Sequence, residues 1–176
     1  MTTTLIDSHC HPPDEPGEGE PAWLSRAVAA GVAECIAVGT DRDDWHRFRD
    51  LATAFPQNIH WTIGLHPSYV GPDFAGHLQE LPAFLSDREK KRPCAVGEIG
   101  LDFTRLPKEG RRDCIELQER AFRQQLAIAR DLQMPVVIHS RGTVDECLAI
   151  IRETDFPPEQ TIFHCFAEGP ETLARI

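Results

Sequence analysis

The stretch Leu5-Ile6-Asp7-Ser8-His9-Cys10-His11-Pro12 sets two histidines one residue apart at the end of an apolar, strand-like run. Successive side chains of a strand point to opposite faces, so His9 and His11 share a face, with Asp7 below them. Two imidazoles on one rigid backbone form a chelating pair for a metal ion. Similar residues recur along the chain. "GLHP" places His66 after a third apolar run, "AVGEIGLDF" carries Glu98 and Asp102, "PVVIHSR" carries His139 and Arg141, and "TIFHCF" carries His164. Imidazole combined with carboxylate suits zinc or another divalent transition metal, and a shared carboxylate can hold two ions together. The chain has no Gly-rich phosphate loop or Walker pattern, which speaks against nucleotide-driven chemistry.

These residues sit at the ends of short apolar runs rich in β-branched side chains. Strands are expected at Leu5–Cys10, Glu34–Gly39, Ile59–Gly64, Cys94–Ile99, Pro135–His139 and Gln160–His164. Helical stretches separate them. One starts at Pro21 and stops at Gly31. The longest is expected from about Asp113 to Leu132. Asp113 and Glu116 there have capping-box spacing, and Ile115, Phe122, Leu126 and Ala129 form one apolar stripe. Val144, Leu148 and Ile151 mark another helix, and "GPETLARI" begins one more. "HPPDEPGEGEP" reads as a loop, and Thr40 and Asp41 read as turn residues.

Strands alternating with helices imply a parallel sheet with right-handed crossovers. Both an open doubly wound sheet and a (β/α)8 TIM-type barrel meet that description. An open sheet gathers its site at one switch point, whereas a barrel draws it from the C-terminal ends of many strands. Polar residues close six consecutive strands here, which favours the barrel. About six of its eight β/α units are present, so residues 1–176 are expected to form a single domain lacking the last two strands.

The 176 residues suffice for one domain with a real core. A formal net charge of −10 argues against a broad electrostatic grip on nucleic acid, though not against an enzyme that meets phosphates through metal ions and a few arginines. No stretch approaches the roughly 18 apolar residues of a membrane span, and the N-terminus does not resemble a signal peptide. A cytoplasmic protein with no membrane partner is the expectation. The six cysteines are widely spaced without a C-x-x-C, so reduced, mostly buried thiols are expected, with Cys10 and Cys165 serving as packing.

Taken in order and spacing, "IDSHCHP", "GLHP", "AVGEIGLDF", "QERAFRQQLAIARDLQMPVVIHSR" and "TIFHCF" resemble the TatD family of metal-dependent deoxyribonucleases, amidohydrolase-superfamily barrels, over essentially the whole chain. The resemblance implies two divalent ions (Mg, Mn or Zn). His9 and His11 would bind the first, His139 and His164 the second, and Glu98 would bridge them. It also implies DNA as substrate, single-stranded or at 3′ ends, cleaved as a 3′–5′ exonuclease. The family's last-strand Asp lies beyond the sixth strand and has no counterpart before Ile176. That leaves the activity of this form open and suggests self-association through unclosed barrel edges. Beside the metals, His66 is expected to hydrogen-bond a phosphate. Arg141 would pair with its oxygens, and Asp102 would orient a ligand or substrate. Structural roles compete for these three: a histidine before Pro67, a rim salt bridge and a loop bracket. Two other functions stay open, a hydrolase of small esters, amides or phosphoesters and an inactive metal-binding remnant. Related hydrolases often bridge their metals with a carbamylated lysine. The fourth strand has no lysine, which favours the nuclease.

Overall fold

A computed structural model of the protein describes residues 4–14 and 19–176, so part of the proline- and acid-rich loop lies outside the described residues. Six strands form one parallel sheet: β1 (Leu5–Cys10), β2 (Val32–Val38), β3 (Ile59–Ile63), β4 (Ala95–Asp102), β5 (Val136–Arg141) and β6 (Thr161–Phe163). Each strand lies beside its predecessor in sequence, in the order β1-β2-β3-β4-β5-β6. A doubly wound sheet would reverse direction at a switch point. This one does not, and the result is a half-barrel of the expected (β/α) type, open between β1 and β6.

Helices α1 (Ala22–Ala29), α2 (Arg42–Ala54), α3 (Phe74–Leu78), α4 (Leu81–Ser86), α5 (Arg111–Asp131), α6 (Val144–Glu153) and α7 (Pro170–Leu173) follow the strands. Two apolar clusters join these layers. Trp45, Phe48, Trp61 and Phe84 fill the first, against β2 and β3. Ile99, Phe122, Leu126, Ile138 and Ile151 fill the second, against β4 and β5. No helix among the described residues is long and apolar enough to cross a membrane.

Some local expectations shift. β4 and β5 run past their expected ends because Gly100 pairs with His139, Leu101 with Ser140 and Asp102 with Arg141. α5 starts at Arg111 behind a left-handed Gly110, so Asp113 lies inside the first turn and Glu116 pairs with Arg112 rather than closing a capping box. Asp41 is the N-cap of α2, accepting from Asp44 N at 3.0 Å. All six cysteines are free, but only Cys35 and Cys147 are fully buried. Cys94 and Cys165 are exposed, and Cys165 has positive φ (47°) in the loop after β6, so it does not serve as packing.

Candidate metal centre

The site grows from β4. Its eight residues are all buried, and Glu98 is only 2% exposed. Two glycines let neighbouring backbone come close. A Cβ on Gly97 would stand 2.6 Å from Val137 Cβ, and one on Gly100, whose φ is +136°, would stand 2.1 Å from His139 O. β5 therefore packs tightly enough to bring His139 against Glu98.

Five imidazoles converge on that one carboxylate. His139 Nδ1 lies 2.6 Å and His164 Nε2 2.5 Å from Glu98 Oε1, with His66 Nε2 at 3.6 Å. His9 Nε2 and His11 Nε2 lie 3.4 and 3.7 Å from Oε2. Burial alone would raise the Glu98 pKa. Hydrogen bonds from His139, His164 and His9 outweigh it and hold the carboxyl well below the usual range. The pairs also face each other: His9 Nε2 is 3.3 Å from His11 Nε2, and His164 Nε2 is 3.3 Å from His139 Nδ1. Nitrogen lone pairs aimed at one another and at a carboxylate repel unless protons or a cation lie among them. The donor set therefore fits a divalent ion.

Hydrogen bonds on the far side of each ring decide which nitrogens are free to bind one. His11 Nδ1 donates to Val38 O (3.1 Å), which leaves the Nε2 lone pair free toward the cluster. His139 Nε2 faces Asp102 Oδ2 at 3.4 Å, and its Nδ1 turns into the cluster against Glu98. His66 is the reverse. Its Nδ1 accepts from Ser68 N at 3.0 Å, so the neutral ring carries its proton on Nε2 and points it into the site. Burial, then the neighbouring His139, pushes the His66 pKa down to about 4 and keeps the ring neutral. By distance alone, two triads group donor atoms within 4.8 Å: His9, Glu98 and His164, and His66, Glu98 and His139. In this tautomer the Nε2 proton of His66 faces the cluster, 3.6 Å from Glu98 Oε1.

Asp102 is 1% exposed. Its Oδ1 accepts from Thr104 N and Oγ1 at 2.9 and 2.6 Å. Burial raises its pKa, but these bonds and His139 outweigh it and lower the carboxyl. Two glutamines of α5, quoted in the sequence within the motif "QERAFRQQLAIARDLQMPVVIHSR" but given no role there, brace the surrounding backbone. Gln125 accepts from Leu65 N (2.7 Å) and donates to Leu65 O (3.1 Å), fixing the segment that carries His66. Gln118 accepts from Asp102 N (3.0 Å) and donates to Pro67 O (3.1 Å). The available signal was two polar residues seven apart on the stripe that buries Phe122.

The cluster opens into a hollow of about 510 Å³, whose wall includes Thr40, Asp44, Ser68, Tyr69 and Arg105. The sequence reading did not single out the last four. Arg105 Nε lies 3.9 Å from Asp102 Oδ2. Arg141 is exposed and borders an adjoining hollow of about 280 Å³, which shares His139 and His164 with the first.

A half-barrel of consecutive parallel strands with imidazoles and a carboxylate at its C-terminal rim defines a barrel-type protein with a candidate metal centre. The pattern of the family described as TatD related DNase matches residues 6–176, and the chain belongs to that family. It is 34% identical over 158 residues to the uncharacterized metal-dependent hydrolase YjjV of Escherichia coli K12, covering 89% of this chain and 58% of that protein. It is 32% identical over 153 residues to the 3′-5′ ssDNA/RNA exonuclease TatD of Pectobacterium parmentieri, covering 84% of this chain and 54% of that one. The crystal structure of YjjV superposes with a TM-score of 0.80 at 28% identity, covering 99% of this chain and 65% of that one. The chain thus spans a little over half the length of these two relatives.

Proposed function

We propose that the chain is the catalytic core of a divalent-metal-dependent phosphodiesterase that trims single-stranded DNA from its 3′ end, acting in the cytoplasm. The observation that carries this reading is the convergence of five imidazoles on one buried carboxylate, Glu98. The relatives' names supply the substrate class. In this reading two divalent ions (Mg, Mn or Zn) would be held, one by His9 and His11 and the other by His139 and His164, with Glu98 shared between them. Divalent ions at such a centre acidify water and neutralise phosphate charge.

The chain's own residues then act on the substrate. His66 donates from Nε2 to a phosphate oxygen. Asp102 is a positioning residue that keeps His139 in the tautomer exposing Nδ1. Arg105 offers its guanidinium to phosphate from the wall of the main hollow, and Arg141 does so from the adjoining one. Self-association belongs to the same proposal: Leu5 and Ile6 on β1 and Ile162 on β6 are exposed along the two open edges.

The test is Mg²⁺- or Mn²⁺-dependent cleavage of an end-labelled single-stranded oligonucleotide, with Glu98→Gln as control. Shortening from the 3′ end by the wild type alone supports the reading. Equal cleavage by both proteins, or none by folded wild type, overturns it.

A further inference from the structure

Tyr69 is the chain's single tyrosine and is 53% exposed. All nine phenylalanines and three tryptophans are buried or half-buried. An aromatic ring left to solvent at the mouth of the hollow calls for an explanation, because its burial in a core would be favourable. It is not a loose side chain on a mobile loop. Pro67–Tyr69 form a 3-10 turn in which Tyr69 N donates to His66 O at 2.9 Å, and buried Gln118 grips Pro67 O. The ring lies steeply inclined to His66, with centroids 6.3 Å apart at 69°, so the two rings do not stack face to face. Its hydroxyl makes no hydrogen bond to a described side chain or backbone group. The backbone therefore holds an aromatic face at a set place beside the cluster, at little ordering cost to a ligand.

The polar surroundings narrow what that face meets. Ser68 and Arg105 line both the main hollow and a second one of about 310 Å³ beside it. Arg105 is the only lysine or arginine on the wall of the main hollow among the described residues, and its side chain is 66% exposed. An aromatic platform, an exposed guanidinium and a metal-type centre within one cavity match a base, a flanking phosphate and the phosphate to be cleaved.

We propose that Tyr69 is the stacking platform for an unpaired nucleobase next to the scissile phosphate, with Arg105 holding the adjoining phosphate. This rests on the nuclease reading and deepens it. A base held in a duplex cannot offer its face to Tyr69 without unstacking, so the platform selects single-stranded ends. Every base has such a face, so the selection is for an unpaired base and not for a sequence.

The experiment uses the whole chain with oligodeoxynucleotides that carry 2-aminopurine, or an abasic residue, at the 3′ end. Ca²⁺ replaces Mg²⁺ in the binding arm to slow turnover. Stacking on Tyr69 quenches 2-aminopurine. Tyr69→Ala is expected to lose the quench and to weaken binding about five- to a hundredfold, the span of aromatic–base stacking. Tyr69→Phe restores both to within about threefold. The preference of the wild type for base-bearing over abasic ends falls to near one in Tyr69→Ala. In the Mg²⁺ arm the loss appears in KM with kcat changed far less, which a general structural defect would not produce. Unchanged quenching and affinity in Tyr69→Ala, with both oligonucleotides still bound, overturn the platform and leave the nuclease reading standing. If the wild type binds neither the base-bearing nor the abasic end, both fall together.

Discussion

β4 and β1 bring donors to the same cluster from opposite surroundings. All eight residues of β4 are buried, whereas every residue of β1 is exposed or half-buried, and Ile6 is 61% exposed. β4 lies between β3 and β5, and Gln118 of α5 bonds Asp102 N, while β1 pairs only with β2 among the described residues. His9 is steadied instead by its backbone bond to Asp7 Oδ1 (3.1 Å) and by stacking flat on His164, 4.1 Å away at 6°. A carboxylate taken out of water is costly unless it is fully partnered, so the charged centre occupies the best-supported strand. The less supported edge strands supply imidazoles instead, His9 and His11 from the end of β1 and His164 from the end of β6.

The largest expected effect breaks the centre itself. Glu98→Gln removes the one charged donor shared by all five imidazoles. It should weaken Mn²⁺ binding, measured by calorimetry, by more than the ten- to hundredfold that loss of a supporting hydrogen bond costs. An affinity within tenfold of wild type would mean that the edge histidines alone make the site.

A matched pair of truncations sharpens the contrast. Ile99→Ala, in the middle of β4 with no exposed surface, should cost about 2–5 kcal/mol in urea unfolding. Ile6→Ala should stay within about 0.5 kcal/mol. Equal costs would show that the β1 edge is covered in solution.

Gln125→Ala leaves Leu65 N and O without partners in a buried place. A loss of about 1–3 kcal/mol is expected in the same measurement. The His66 ring resonances should also shift in NMR, because Gln125 anchors the backbone one residue before His66.

The smallest effect reports how dry the centre is. Burial pushes the Cys147 thiol, packed behind β4 and β5, up to about 12 from an ordinary 9.0. Below pH 9 neither state ionises and the stability is intact. Above it the unfolded chain loses a proton that the folded one keeps, so stability declines as pH rises toward 12. Between pH 8 and 10 this thiol should account for about 1.4 kcal/mol of loss. Cys147→Ala should flatten the urea-midpoint profile over that interval by a matching amount, and an unaltered slope would mean that water reaches the thiol.

Much of this architecture was legible in the sequence. Short apolar runs rich in β-branched residues located all six strands, and β1 agrees at both ends. The residues closing those strands included the six side chains that make up the cluster. β4 ran further than expected because Gly100 looks like a strand end until its pairing with His139 is seen. The capping-box spacing at Asp113 misplaced the helix start because a left-handed Gly110 already turned the chain. Arg141 was picked out for its nearness in sequence to His139, yet Arg105 is the arginine that lines the main hollow.

By itself the sequence determined which residues could bind metal and that they sit at the ends of parallel strands. Side-chain alternation and turn chemistry are local, and they are written in neighbouring residues. Only the tertiary structure decided which nitrogen each imidazole turns toward Glu98, and that His66 Nδ1 is taken up by Ser68 N. It also decided that Gln125 braces Leu65 and that Tyr69 stands open at the mouth. Those outcomes depend on partners that chain folding alone brings together. Leu65 and Gln125 are 60 residues apart in sequence, and no local pattern records which distant group will satisfy a buried donor.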